Sequence, residues 1–197
     1  MAQKKETTVK KPRVMSLEKF NTLSKAEQRI LIAKDVIAQI KANKYKPAPG
    51  IYVTLKIPKS LDITKDAKSN LENVENCVVC GVGACLVSTV KFKNTLTLHD
   101  LDHPTSSYKD STKAAKLLKS VFPPSQLALI ETAFEREYCE GSHWSSEPVD
   151  GGGIGGKLTD KQAYKAENFG DNYWDSSTKR LLAIMENIIT NAGTFKP

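Results

Sequence analysis

What the chain lacks narrows it first. No apolar run among its 197 residues approaches the ~18–20 needed to cross a bilayer as a helix, so a helical membrane protein is excluded. The opening stretch, MAQKKETTVKKPR, has no apolar h-region, so no secretory signal is expected. Histidine is scarce, at 3 residues, and aromatics make up 7%. So few imidazoles leave few choices for a general base or a metal ligand. The chain has 4 cysteines, and three of them, Cys77, Cys80 and Cys85, crowd into one short stretch. A secreted disulfide scaffold would have more of them, more evenly spread. Reduced thiols in a cytoplasmic protein are the expectation. There is no internal repeat.

What is present fits a packed core. Apolar residues are 40% and charged residues 26% of the chain. A domain near this size buries roughly 70% of its unfolded surface. The net charge of +7 is unevenly placed. Residues 1–13 hold Lys4, Lys5, Lys10, Lys11 and Arg13 against Glu6, a net +4, so the rest of the chain carries only +3. The expected organisation is a disordered basic tail over 1–15 and a single globular domain over 16–197. The tail offers weak contact to nucleic acid or another anionic surface.

Ser24 and Glu27 form a capping-box pattern, and Ile30, Ala33, Val36, Ile37 and Ile40 follow at helical spacing. Pro47 and Pro49 end that helix. IYVTLKI (51–57) alternates with period two and reads as a strand. Residues 59–76 are polar, with one helical turn near Asp66–Leu71. Cys80 to Phe92 reads as a buried helix, with strand–turn–helix as the alternative because of Gly81 and Gly83. NTLTLHDL (94–101) reads as a second strand. A helix capped by Asp110 or Ser111 runs to Phe122. After Pro123-Pro124 another runs from Ser125 to about Cys139, the two forming a helical hairpin. Residues 140–158 form the longest loop. Helices follow over 159–168 and from near Asp175-Ser176-Ser177 to Asn191, with Gly193 ending the last. The fold class is mainly α, as α+β, with one small sheet.

Four constellations carry candidate chemistry. Cys77 and Cys80, spaced C-x2-C, can share a zinc ion if Cys139 with His143, or His99 with His103, completes the tetrahedron. Val78, Val79, Val82 and Leu86 around them look like core, which favours buried free thiols, so no metal and no cofactor is expected. Cys80 at a helix start can be a nucleophile, with His99, His103 or His143 as base and Asp100 or Asp102 orienting it. Gly151-Gly152-Gly153-Ile154-Gly155-Gly156-Lys157 matches G-x-x-x-x-G-K, but Leu158 stands where a phosphate-binding loop needs Ser or Thr. It remains suited to closing over a small anion with its amides and Lys157. Finally, His143-Trp144, Phe169 and Tyr173-Trp174 either contact a ligand or pin loops to the core.

RLLAIMENIITNAGTFKP at the C-terminal end and CVVCGVGACLVS in the middle, 30 residues together, resemble segments of small accessory proteins carried by tailed phages and prophages. The resemblance implies an accessory factor acting in the host cytoplasm, of a kind that blocks host defence by binding a host protein or sequestering a nucleotide signal. The expected role is therefore a binding protein that captures a host protein or an anionic nucleotide-like ligand, through His143, Trp144, Gly151, Gly152, Gly153, Gly155, Gly156 and Lys157. A Cys80 hydrolase and a zinc-stabilised nucleic-acid-binding module are the alternatives.

Overall fold

A computed structural model describes residues 15–93, 96–102, 112–139, 156–173 and 175–197. The architecture is mainly helical with one three-stranded sheet, as the spacing predicts. The basic tail before Met15 lies outside the described residues.

The centre is α4 (Gly81–Phe92), whose residues from Gly81 to Val90 are all buried. A helix that is apolar all round must be covered on every side. Around it stand α2 (Lys25–Lys41), α3 (Ala67–Asn70), α6 (Lys113–Lys119), α7 (Pro124–Cys139) and the sheet. The buried-helix reading of 80–92 holds, with Gly81 and Gly83 inside the helix rather than in a turn, and an unforeseen strand precedes it. The strand β3 (Cys77–Val79) runs straight into α4, so the turn between them is the single residue Cys80.

β3 is the middle strand, parallel to β1 (Tyr45–Pro47) and antiparallel to β2 (Val53–Leu55). The expected strand over 51–57 is thus only three residues long. Tyr52 lies outside the ladder and approaches α4 and α7, while Ile51 is exposed. The alternation inside it survives, with Val53 and Leu55 buried and Thr54 exposed. β1 is unforeseen, because Pro47 reads as a breaker. Proline is tolerated at an edge strand, and β1 is one.

The capping box of α2 forms as predicted: the Glu27 carboxylate accepts from the Ser24 backbone N–H, and Ser24 Oγ accepts from Glu27 N–H. Its buried face is rotated from the expected stripe. Gln28, Ile32, Ala33 and Val36 are buried, whereas Ile30, Ile37 and Ile40 are half-buried. Gln28 is satisfied inside by donating to the carbonyls of Phe20 and Leu23, which fasten the short unforeseen helix α1 (Leu17–Thr22).

The second expected strand is a correction. Leu98–Asp102 is a short helix, α5, and only Thr97 pairs, as an isolated bridge with Asp66. Thr97 and Asp100 explain it: the Asp100 carboxylate accepts from the Thr97 N–H and hydroxyl, a capping arrangement that competes with extended backbone. The cap of α6 is Thr112, not Asp110 or Ser111, both of which lie outside the described residues. α6 and α7 each pack on α4, so the expected hairpin is replaced by two helices sharing a central one. α8 (Asp160–Asp171) packs along α7. α9 (Ser177–Thr190) packs on α2, ending where Ala192 and Gly193 take left-handed backbone. Among the described residues, no helix is long and apolar enough to cross a membrane.

Candidate functional site

Cys80 is where fold and candidate chemistry meet. As N-cap of α4 its thiol sulfur accepts from the Gly83 N–H at 3.4 Å. Its own N–H donates to the Tyr52 carbonyl at 3.2 Å, which draws the segment 50–52 over the start of α4. Glycine makes that approach feasible. A Cβ on Gly83 would lie 1.6 Å from the Tyr52 carbonyl oxygen, and one on Gly81 would lie 3.1 Å from Phe134 Cβ. The two glycines that weakened the helix reading are the residues that let this helix be buried.

Two carboxylates on α7 complete the cluster. Glu131 and Glu135 are four residues apart and share one face. The Tyr52 hydroxyl donates to Glu131 Oε1 at 2.5 Å, and the Gly50 N–H donates to Glu135 Oε2 at 2.6 Å. Burial raises the pKa of both carboxyls above the ordinary glutamate range, and Glu131 raises that of Glu135 further. Arg180 of α9, fully buried, donates to the Phe134 carbonyl at 2.7 Å, and its charge works against the rise at Glu135.

The effects on Cys80 oppose one another. Amides at the start of α4 favour a thiolate, but burial and the negative charges of Glu135 and Glu131 disfavour it and win, so the thiol pKa lies well above normal. Cys80 is only 2% exposed. A nucleophile needs an accessible thiolate, and here both access and ionisation are opposed. The arrangement holds protons and ties three elements together. Cys77 and Cys85 are also buried free thiols, with Cys85 pushed up to about 12 by burial. Val79, Val82 and Leu86 are core as expected, while Val78 is half-buried.

The other predicted residues are dispersed. His99 and Asp100 sit on α5, which packs against β2, α3 and α6. Asp100 is occupied with capping and with Lys113 at 3.7 Å. Cys139 ends α7, and His103 and His143 lie outside the described residues. Among the described residues, no group of three or more His, Cys, Asp and Glu side chains is placed to hold a metal ion. Phe169 and Tyr173 act as pins: Phe169 meets Phe195 edge-on at 5.0 Å and Tyr173 at 5.8 Å.

Of the glycine-rich segment, Gly156 and Lys157 are described; His143, Trp144, Gly151, Gly152, Gly153 and Gly155 lie outside the described residues, as does Trp174. Gly156 is seated on the first turn of α7. Its N–H donates to the Pro124 carbonyl at 3.0 Å, and a Cβ there would lie 3.2 Å from Pro124 Cβ and 3.4 Å from the Ser125 nitrogen. Lys157, exposed, follows directly.

Sequence reasoning missed Gly50, Tyr52, Glu131, Glu135 and Arg180. One signal was readable: Glu131 and Glu135 border the apolar stripe of Leu127, Ile130 and Phe134 on one side. Acids at that spacing beside a core stripe are candidates for half-buried groups. No family model, no curated protein and no solved structure matches this chain.

Proposed function

We propose that the protein acts by capture: it binds an anionic, nucleotide-like ligand or an anionic face of a host protein and catalyses nothing on it. In this reading it is an accessory factor of the tailed-phage kind, working in the host cytoplasm against host defence. The observation that carries the reading is the seat of Gly156 on the first turn of α7, through its N–H to the Pro124 carbonyl, which brings the chain at Lys157 to the positive end of a 16-residue helix. Four residues earlier, at the turn between α6 and α7, Ser120 receives a second lysine, Lys93, at 3.0 Å. Two lysines from distant parts of the chain therefore flank one turn. The commitment of Cys80 to capping and packing supports binding over a thiol-based reaction.

Both segments that resemble phage accessory proteins are core. Residues 77–88 form β3 and most of α4, and residues 180–197 include most of α9, both of which pack against α2 or its neighbouring strand. Such a resemblance speaks for the fold, so the binding class has to be tested directly.

The test is thermal denaturation against a panel of nucleotides and cyclic oligonucleotides. A ligand at 100 times its Kd stabilises by about 2.7 kcal/mol. For a chain of this size that raises Tm by roughly 5–10 °C. Trp144→Ala and Lys157→Ala are expected to remove the shift while leaving the unliganded Tm unchanged. Shifts that persist in both variants would place the ligand elsewhere.

A further inference from the structure

Lys93 caps the C-terminal end of α4, and its ammonium group donates to Ser120 Oγ at the end of α6. The next residue, Val121, is held from α2: Arg29 donates to its carbonyl at 2.9 Å. Lys25 lies one turn before Arg29 on the same face of α2, and Lys116 lies one turn before Ser120 on the same face of α6. Both are exposed. Lys93 thus meets Ser120 directly, while Lys25, whose ammonium donates to Gln28 Oε1 at 3.4 Å, and Lys116 stand on the α2 and α6 faces that lead to residues 120–121. Burial, and then the charge of Lys25, push Lys93 below the ordinary lysine range. The nearby acid Glu27 is turned to its own helix end, where the Ser24 N–H and hydroxyl hold it.

The edge continues toward the start of α1. Phe20 of α1 stacks on Phe92, with ring centroids 4.9 Å apart. The described fold therefore begins near Lys93, just after the net +4 of residues 1–13. The apolar members of that segment are Met1, Ala2 and Val9, with no aromatic or leucine to insert into lipid. Stable membrane attachment of a basic segment needs such a second signal. A small nucleotide would be met by groups converging on one point, whereas these charges are strung across three helix ends.

We propose that the edge formed by Lys25, Lys93 and Lys116 around Ser120 binds the phosphate backbone of a nucleic acid. The inference rests on the anion-capture reading, and it commits that reading to a polymer as the anion. Lys93, positioned by Ser120, is the central contact, and Lys25 and Lys116 take flanking phosphates. Contacts of this kind carry no base specificity.

The experiment uses the full chain and fluorescence anisotropy with labelled 20-nucleotide single-stranded DNA, RNA of the same sequence, and a 20-base-pair duplex, between 50 and 200 mM salt. Binding is expected to weaken steeply with salt. The variant Lys25→Gln/Lys93→Gln/Lys116→Gln is expected to weaken at least tenfold and to lower the salt slope by about two on a single strand, at roughly 0.7 for each phosphate no longer neutralised. Lys25→Arg/Lys93→Arg/Lys116→Arg, which keeps the charges, is expected to bind as the parent does. Unchanged affinity in a glutamine variant that melts like the parent would overturn the proposal. So would an arginine variant that binds no better than the glutamine one. Tighter binding to vesicles containing phosphatidylserine than to any oligonucleotide would also overturn it, in favour of a membrane. A parallel titration with free nucleoside triphosphates separates the two readings. Oligonucleotide binding without nucleotide binding supports the edge and removes the small ligand. Nucleotide binding alone overturns the edge and leaves capture standing.

Discussion

Gly83→Ala strikes the close approach on which the centre of the molecule depends. A Cβ at this position would lie 1.6 Å from the Tyr52 carbonyl oxygen, a backbone atom that no rotamer change can withdraw. Either α4 or segment 50–52 has to move by more than an ångström. Movement of the segment endangers the hydrogen bonds Cys80 N–H to Tyr52 O, Tyr52 hydroxyl to Glu131 and Gly50 N–H to Glu135. Overpacking costs ~1–3 kcal/mol. Each broken hydrogen bond adds ~1 kcal/mol, more where a carboxylate stays buried. Alanine in place of glycine returns at most about 1 kcal/mol of helix propensity. The net expectation is a destabilisation of about 3–5 kcal/mol, which at ~2–4 °C per kcal/mol lowers Tm by about 6–20 °C. Gly156→Ala is the internal control. Its Cβ would meet Pro124 Cβ at 3.2 Å, a crowding eased by a few tenths of an ångström. Circular dichroism melts at 222 nm give the answer. A Gly83→Ala protein that melts within 2 °C of the parent would refute the close approach of Tyr52 to α4.

Two further predictions concern the same cluster. Glu131 and Glu135 have folded pKa values above their unfolded ones, so the folded state binds more protons between the two. Their contribution to stability is present at low pH and is lost as pH rises from the ordinary glutamate value through the raised folded one. Glu131→Gln, which still accepts from Tyr52, should therefore raise Tm at pH 8 and change it little at pH 4.5. A lower Tm at pH 8 would show that the ionised carboxylate is favourable. Cys77, Cys80 and Cys85 should resist iodoacetamide in the native protein at pH 8 and react in urea, as followed by intact mass. Fast native labelling of Cys80 would revive a thiol mechanism.

Helix positions were legible because their signals are local. Ser24 with Glu27, the apolar spacing of residues 181–188, and Pro123-Pro124 all act within one or two turns. The sheet was poorly legible, because β1 and β3 are three residues each and their pairing partners lie far away in sequence. Residues 98–101 were misread since alternation over so few positions also suits a helix, and Asp100 capping Thr97 decided it. The acid pair and Arg180 were hidden for a different reason. Burial of a charge depends on which element covers it, and periodicity along one helix does not reveal that. The lysine edge likewise exists only because the start of α2 meets the ends of α4 and α6.

The order β1-β3-β2 also governs how the chain reaches its native state. Tyr45 pairs with Cys77, while β1 and β2, neighbours along the chain, do not pair at all. On a ribosome the first two strands emerge without their common partner. Edge groups on both must wait until residues 77–79 follow, and closing that long loop comes before any gain from pairing. Pro47 and Pro49 lie in the stretch where a premature β1–β2 hairpin would form, and proline there removes the donors such a hairpin needs. Because β3 leads directly into α4, the event that completes the sheet also delivers the central helix to its place. Sheet and core should therefore appear in one kinetic phase, set by the arrival of Cys77–Val79.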